Sequence, residues 1–471
     1  MTKHSIVRNG TVVSMDPEIG VISNADVLVR DDKLLSVGQN LEAPADAEEI
    51  DARDCIVMPG FIDTHRHIWQ GAMRSVCAEW SLLDYLRGIR MNAASAYIPD
   101  DMYAAQYHGA LEALDSGVTT VADYCHNINT PDHAHEAIRG LRDAGLRAIW
   151  CYGFSAPPLE NPAFTSRKER LSFAMEIAKQ YFTDDDSLLT LGLSPEEALF
   201  WGEGNVNGIA QFQLAKELNA RIFWHCNSAS FEGRPREVAA LKGLGLLDPR
   251  MTLVHMHSTD PDEWAMVAHS GAAVSFTPDT EMQMGMGWPM TEVARAYGIP
   301  QSYGIDITSN NSADFYVCLR LALQTARCRE NMRANGEQMV QGVPFSCAEA
   351  LAWGTIEAAR AIGMEKCIGS LTPGKQADLQ MLRMDALTTV GWDKSNPEGS
   401  VIMQGQARNV DTVMVSGRLV KRHGQMLADI PHACSLLSDA NQRVSREVNN
   451  RGGYLLTLDE ALGKIEQLSR N

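Results

Sequence analysis

Eight short apolar runs, each followed by an amphipathic segment, constrain the fold of this chain more than any other feature of its sequence. The runs begin at residues 55, 118, 146, 188, 221, 251, 272 and 299. Runs in which nearly every residue is apolar are typical of parallel strands buried on both faces, with helices between them. We therefore expect an α/β fold, a (β/α)8 TIM barrel over residues 56–368. An open doubly wound sheet fits the alternation too, but no glycine-rich phosphate loop follows the first run.

Both ends of the chain have a different pattern. Residues 1–55 and 369–427 alternate apolar and polar positions, as in SIVRNGTVVSM and NVDTVMVSGRLV. This alternation is typical of antiparallel strands with one buried face, so we expect the two ends to combine into one small β-sandwich module. Residues 428–471 are charged and helical in pattern. They predict a helical C-terminal tail, which we expect to pack on a neighbouring subunit.

The charge balance narrows the class of partner. The chain has 41 basic and 59 acidic residues, a formal net charge of -18. An excess of negative charge disfavours binding to nucleic acid or to an anionic membrane. No apolar leader or membrane-length apolar run is present, and the ten cysteines lack paired spacing. We therefore expect a cytoplasmic protein with reduced thiols that acts on a small molecule and forms a homodimer or larger homo-oligomer.

Four residues of metal-binding type lie where barrel strands are expected to end. The first run ends in PGFIDTHRH, and residues two apart in a strand share a face, so His65 and His67 can reach one ion. His225 ends the fifth run and Asp306 ends the eighth. Because barrel active sites lie at the carboxyl ends of the strands, these side chains are expected to meet. Three imidazoles and one carboxylate suit zinc, with iron, cobalt and manganese as alternatives.

Two further pairs of histidines have the same spacing. His133 and His135 lie in a helical segment, where a spacing of two places them on different faces, and we expect them to be solvated. His255 and His257 follow the sixth run and are stronger candidates. In a strand both side chains would point the same way, and we expect His257 to lie outside the group of residues that contact the metal or the substrate.

The motifs PGFIDTHRH, WHCNS, LVHMHSTD, GIDITSNN and GSLTPGKQADLQML together resemble the amidohydrolase superfamily, in its cytosine-deaminase-like and triazine-hydrolase-like branch. The resemblance covers nearly the whole chain and implies a distorted eightfold barrel with a composite β-sandwich. It also implies metal ligands at His65, His67, His225 and Asp306, with His255 contacting the bound hydroxide or the substrate. Members with two metals have a carboxylated lysine at the end of the fourth strand, where this chain reads LLTLGLSPEEALF. The missing lysine predicts one divalent metal per subunit.

The expected chemistry is hydrolysis. A divalent ion lowers the pKa of bound water to about 7, and Asp306 can pass the proton of that water to a leaving group. Ring deaminases of this branch have a glutamate three residues after the fifth-strand histidine, where this chain has Ser228. A serine hydroxyl is not an acid near neutral pH, so we expect cleavage of an amide, urea or carbamate-type C–N bond.

Three alternatives to this function stay open. They are deamination of a heterocycle, displacement of chloride or a thiol from a ring or thiocarbamate, and a non-catalytic scaffold. Candidate substrate-binding residues in addition to Ser228 are Trp69, Gln70, Glu281 and Asn310. For Trp69 the alternative is core packing, and for Glu281 it is a solvated carboxylate in a flexible loop.

Overall fold

The computed structural model describes residues 3–184, 188–196, 206–229, 233–334 and 341–470. Within them lie an eight-stranded parallel sheet, as the sequence predicted, and a nine-stranded sheet. The strands are β1 (His4–Val13), β2 (Val21–Arg30), β3 (Lys33–Gly38), β4 (Glu48–Asp51), β5 (Cys55–Pro59), β6 (Phe61–Arg66), β7 (Val118–Cys125), β8 (Arg147–Gly153), β9 (Leu189–Ser194), β10 (Arg221–Cys226), β11 (Met251–His255), β12 (Ala273–Phe276), β13 (Gln301–Tyr303), β14 (Leu379–Arg383), β15 (Val410–Val415), β16 (Arg418–Arg422) and β17 (Gln425–Met426).

The helices alternate with the barrel strands and continue into the tail. They are α1 (Leu82–Tyr85), α2 (Pro99–Asp115), α3 (Pro131–Ala144), α4 (Arg167–Tyr181), α5 (Val206–Glu217), α6 (Glu237–Gly243), α7 (Pro261–Ser270), α8 (Pro278–Gln283), α9 (Thr291–Ala296), α10 (Phe315–Ala334), α11 (Cys347–Trp353), α12 (Ile356–Ala361), α13 (Pro397–Gln404), α14 (Ile430–Asn450) and α15 (Leu458–Arg470). Short 3-10 turns cover Ile68–Met73, Ala93–Ala96 and Ala407–Asn409, and a π-helical turn covers Leu86–Arg90. None of the described helices is long and apolar enough to cross a membrane.

Strands β6 to β13 form the barrel, each pairing in parallel with its neighbour in the chain. A bridge between Arg66 and Asp306 joins the last strand region back to the first, so the sheet is nearly closed. Each of the eight apolar runs contributes one of these strands. Because helices cover the outside and side chains fill the inside, strand residues are buried on both faces.

The first apolar run is two strands rather than one. Its first half is β5, which pairs with β1 and β14 in the nine-stranded sheet, and its second half is the barrel strand β6. Gly60 separates them, and a Cβ there would overlap the side chain of Thr119. Only glycine fits at this close approach, so the chain passes between the two sheets within one residue.

The nine-stranded sheet contains strands from both ends of the chain, in the order β17-β16-β15-β14-β5-β1-β2-β3, with β4 also paired to β1. The link between the ends is the antiparallel pair β5–β14, in which Met381 lies opposite Val57. A buried ion pair, Arg147 Nε to Asp378 Oδ2 at 2.7 Å, ties this sheet to the start of barrel strand β8. The composite β module is therefore confirmed, although the predicted boundary at residue 55 falls at the start of a strand that belongs to it.

The C-terminal tail is helical and packs on its own barrel. The buried face of α14 includes Ala440, Val444 and Val448 and lies against α2 and the turn Ile68–Met73. Asn441 Nδ2 donates to the carbonyl oxygen of Ala72 at 2.7 Å. The face of α14 that carries these residues is covered within the chain, and the expectation that the tail packs on a neighbouring subunit stays a prediction.

Candidate active site

Four predicted ligands meet at the carboxyl-terminal edge of the barrel. His65 Nε2 lies 3.2 Å from Asp306 Oδ1, and His67 Nε2 lies 3.4 Å from the same oxygen. His225 Nε2 lies 3.2 Å from His65 Nε2. His65, His67 and Asp306 are almost fully buried, and His225 is half-buried. The side chains converge because β6, β10 and β13 all end at this edge.

The donor set fits a metal ion. Ligand atoms bound at about 2.0–2.2 Å to one tetrahedral ion lie roughly 3.3–3.6 Å apart, close to the separations seen here. His67 Nδ1 lies 2.8 Å from the carbonyl oxygen of Tyr124, which places its proton on Nδ1 and leaves Nε2 free as a ligand. The residues present therefore fit one divalent ion held by His65, His67, His225 and Asp306.

Backbone hydrogen bonds join the end of the first barrel strand, β6, to the segment after the last, β13, at the candidate metal ligands. The amide of Asp306 donates to the carbonyl of His65 at 2.9 Å, and the amide of His67 donates to the carbonyl of Asp306 at 2.7 Å. A Cβ on Gly304 would overlap the backbone of His65, so this approach needs glycine. Asp306 itself has a φ of 65°, an unfavourable conformation for a residue that is not glycine.

Burial controls the protonation of the histidines. Burial lowers the pKa of His65 to about 4 and that of His255 to about 3. Burial alone would raise the pKa of Asp306, but the hydrogen bond from His65 and the neighbouring imidazoles outweigh it and hold that pKa below its usual range. At neutral pH the imidazoles of His65 and His255 are therefore neutral and the carboxyl group of Asp306 is ionised, which is the state that binds metal.

His255 lies beside the four ligands. Its ring centroid is 5.3 Å from that of His225 and 5.7 Å from that of His65. His255 and Met256 have φ values of 78° and 60°, so strand alternation stops at the end of β11. The two-residue spacing suggested that His257 and His255 share a strand face. Because the strand ends at His255, they do not. Its ring lies 6.4 Å from that of His255 and is half-buried.

Glu281 is bonded to His255 rather than solvated in a flexible loop. Its Oε1 lies 3.2 Å from His255 Nδ1 and accepts the amide of Thr277 at 2.9 Å. The side chain is fully buried. Glu281 lies in helix α8, which directly follows β12. Burial raises the pKa of Glu281 to about 8. Glu281 therefore contacts His255 from behind and orients it.

Trp69 and Gln70 lie in the turn that follows the first two ligands. Both are fully buried. Gln70 Nε2 donates to the hydroxyl of Tyr85 at 2.8 Å, and its Oε1 accepts from Ser309 Oγ at 2.7 Å. These contacts fix Gln70 between the first and last barrel loops, and they place Tyr85 beside the site.

Ser228 and Asn310 are the two other predicted substrate contacts. Ser228 is half-buried, two residues after the end of β10. Asn310 is 8% exposed, and its Nδ2 donates to Asn311 Oδ1 at 3.2 Å. Their roles stay predictions.

Sequence reasoning missed His126 and Tyr124. The His126 ring stacks on His67 at 4.2 Å and accepts a hydrogen bond from Trp69 Nε1 at 3.2 Å. The Tyr124 ring stacks on His225 at 4.3 Å. Both lie at the end of the second apolar run, so the rule that strand ends form the site would have found them.

The third pair of histidines lies in α3, away from the ligands. His133 Nε2 lies 3.0 Å from the carbonyl of Tyr97, and His135 Nδ1 lies 2.8 Å from the hydroxyl of Tyr181. His133 is 3% exposed, so the expectation that both are solvated was wrong for this residue.

Comparisons with known proteins agree with this architecture. The model of a family described as "Amidohydrolase family" matches residues 56–420. A 5-methylthioadenosine/S-adenosylhomocysteine deaminase of Symbiobacterium thermophilum is 27% identical over 387 residues, which cover 80% of this chain and 84% of that protein.

Two solved structures share the fold. An adenosine deaminase from Xanthomonas campestris with bound zinc has a TM-score of 0.81 at 23% identity, over 94% of this chain and 98% of that one. A triazine hydrolase from Arthrobacter aurescens has a TM-score of 0.80 at 22% identity, over 93% of this chain and 99% of that one.

Proposed function

The chain belongs to the amidohydrolase family, and we propose that it cleaves an amide, urea or carbamate-type bond of a small molecule with one divalent metal per subunit. The coarser activity, metal-dependent hydrolysis of C–N bonds other than peptide bonds, follows from the family and from relatives named as deaminases. These findings favour an enzyme over a non-catalytic scaffold. The cytoplasmic location and homo-oligomeric state predicted from the sequence stay predictions.

The ligand geometry supports a metal ion at this edge of the barrel. His65, His67 and Asp306 offer ligand atoms within 4.8 Å of one another, as do His65, His225 and His255. Zinc is the ion that best matches three imidazoles and one carboxylate, and zinc is bound to the adenosine deaminase with the same fold. When bound, such an ion lowers the pKa of water to about 7 and polarises a substrate oxygen.

Two residues of the chain handle protons and charge. Asp306 is ionised at neutral pH, so its carboxylate can accept a proton from the attacking water and deliver it to the leaving amine. His255 is neutral, and Glu281 and Thr277 lie at its Nδ1, so its other nitrogen is available to the developing oxyanion. Water attack on a carbonyl needs these two functions.

The observation that favours an acyl substrate is Ser228, together with the position of Glu281. Deamination of an aromatic ring needs an acid to protonate a ring nitrogen as the tetrahedral centre forms. Ser228 is not such an acid, and Glu281, whose Oε1 contacts His255 and accepts the amide of Thr277, would have to reach a ring nitrogen through its other oxygen. An amide, urea or carbamate makes no such demand, because its charge develops on oxygen.

A second candidate is deamination of an adenosine-like compound. Relatives named 5-methylthioadenosine/S-adenosylhomocysteine deaminase and 5'-deoxyadenosine deaminase support it. This function would need an acid other than Ser228 to reach the ring. Displacement of chloride or a thiol, as in the triazine hydrolase branch, stays a third candidate.

The test compares turnover per bound metal on two substrate sets. One set contains amides, ureas and carbamates, and the other contains adenosine, 5'-methylthioadenosine and cytosine. We expect product from the first set, a loss of activity on chelation, and about one metal per chain. Efficient release of ammonia from a nucleoside with no acyl substrate cleaved would overturn the proposal, as would two tightly bound metals per chain.

A further inference from the structure

Arg90 is a buried cation that has no carboxylate partner in the part of the chain that the structure describes. It is 7% exposed and lies in the π-helical turn Leu86–Arg90. Its Nη1 donates to the carbonyl of His126 at 3.3 Å, and its Nη2 donates to the carbonyl of Ser155 at 3.2 Å. Two neutral carbonyls leave the positive charge uncompensated, which is unfavourable for a buried guanidinium group.

The position of Arg90 connects it to the active site. His126 directly follows β7 and Ser155 lies two residues after β8, so the guanidinium group crosses the carboxyl-terminal edge of the barrel. The His126 ring stacks on the ligand His67. Tyr85, directly before the Leu86–Arg90 turn, accepts a hydrogen bond from Gln70, which lies in the turn after the ligand His67. Arg90 therefore lies on the side of the site formed by β7, β8 and the turn after β6.

The neighbouring arginine shows the usual arrangement. Arg87, three residues earlier, is paired with Asp84 at 2.8 Å. The buried Arg147 is likewise paired, with Asp378. In a chain with a net charge of -18, carboxylates are abundant, yet none in the described residues pairs with Arg90. The absence of a carboxylate partner at Arg90 is therefore not due to a shortage of acidic residues.

We propose that Arg90 binds a carboxylate of the substrate, so that the enzyme acts on small acids that contain the scissile C–N bond. The planar guanidinium fork matches the two oxygens of a carboxylate, and the bound substrate then supplies the absent counter-charge. The inference rests on the proposed function, because it assumes that the C–N bond is cleaved at the carboxyl-terminal edge of the barrel, where Arg90 also lies. It adds the substrate class: N-acyl or N-carbamoyl compounds with a free acid group.

The first experiment measures binding without turnover. The metal-loaded protein is titrated calorimetrically with 3-phenylpropionate and with its methyl ester, neither of which has a C–N bond. We expect the wild type to bind the carboxylate at least about tenfold more tightly than the ester, as a charge-assisted hydrogen bond implies. R90M should lose this preference, and R90K should keep part of it because it retains the charge without the fork.

R87M is the matched control, since it removes a carboxylate-paired arginine from the same turn, and it should keep the preference. Equal binding of carboxylate and ester by the wild type would overturn the proposal. Undiminished carboxylate binding by R90M would also overturn it, because the metal alone would then hold the acid. Equal losses for both ligands in R90M would show that Arg90 only clamps the ends of β7 and β8.

The second experiment measures turnover of N-carbamoylphenylalanine and its methyl ester. In R90M we expect KM for the acid to rise at least about tenfold, with little change for the ester. If carboxylate binding depends on Arg90 but no amide, urea or carbamate is cleaved, the proposed function fails and only the carboxylate site at Arg90 stands. If C–N bonds are cleaved without any preference for acids, only this inference fails.

Discussion

Asp306 combines two roles that can be separated at the level of single atoms. Its Oδ1 lies within 3.4 Å of the Nε2 atoms of both His65 and His67, so it belongs to the ligand set. The same carboxylate is the base of the proposed reaction. An amide side chain has nearly the same volume and keeps an oxygen donor, but it has no charge and does not accept a proton at neutral pH.

We therefore expect Asp306→Asn to lower kcat by at least about 10²-fold. The measurement is turnover per bound metal, with metal content determined on the same sample. This normalisation separates lost chemistry from lost metal. Near-normal turnover per metal in the variant would place the base elsewhere.

Glu281 acts on the reaction through His255. Because burial raises its pKa to about 8, most of the carboxyl group is protonated at pH 7, and glutamine imitates that state. We expect Glu281→Gln to keep kcat within about tenfold and Glu281→Ala to lower it about 10–100-fold, as loss of a partner behind an active-site histidine does.

Glu292→Ala is the matched control for Glu281. Glu292, in the neighbouring helix α9, is also a buried glutamate, but it forms an ion pair with Arg329 at 2.7 Å. Its loss should lower stability and leave turnover of the folded enzyme unchanged. Equal losses of turnover in the two alanine variants would contradict a positioning role for Glu281.

For single residues, the sequence predicted the metal ligands but not the residues that contact and orient the active-site histidines. His65, His67, His225 and Asp306 follow from strand ends, which periodicity places within a few residues. The contact between His255 and Glu281 depends on α8 beginning directly after β12, and on the left-handed backbone at His255. Neither is encoded by spacing or polarity, so the sequence predicts Glu281 only as a substrate contact or, alternatively, as a solvated carboxylate in a loop.

Among the elements, α14 has a function that its sequence did not reveal. The charged, helical pattern of residues 428–471 predicts a helical tail, but not the surface that the tail covers. The structure places the buried face of α14 on α2 and on the turn that contains Trp69 and Gln70. Further along, Asn92 Nδ2 donates to the carbonyls of Gly453 and Tyr454, at 2.9 and 2.8 Å. The tail therefore holds the segment that contains Tyr85 and Arg90.

We expect a chain that ends at residue 428 to lose activity and melt at a lower temperature. Removing α14 exposes the surface that Val444 and Val448 cover, at a cost of about 2 kcal/mol for each valine. A chain that ends at residue 456 is the control, because it keeps α14 and the contacts of Asn92. Thermal unfolding and kcat are measured on both, and full activity of the shorter chain would contradict this role.

In the whole molecule, the barrel depends on the sheet that both chain ends build. The eight-strand alternation predicted the barrel, and the alternating ends predicted the module. The crossover at Gly60 was not predictable, because it depends on a contact with Thr119 that is distant in sequence. As a result, the apolar strand β5 lies between β1 and β14, with one neighbour from each end of the chain.

The division into a barrel of residues 56–368 and a separate module stays a prediction, and expressing that barrel alone tests it. In the fragment, β5 loses both neighbours and exposes an apolar edge, which favours aggregation. Arg147 loses Asp378, and Tyr316 loses the side chain of Gln380, whose Oε1 it contacts at 2.6 Å. We therefore expect insoluble protein.

Asp378→Asn in the full chain is the control for the fragment, since it weakens the ion pair with Arg147 and keeps every strand. Breaking one partner of a buried pair costs about 3–5 kcal/mol, so this variant should melt earlier yet stay soluble. Soluble yield and size-exclusion profiles compare the two proteins. If the fragment is monodisperse and binds metal, the barrel folds without the module; if only the fragment aggregates, the strand neighbours of β5 matter more than the ion pair.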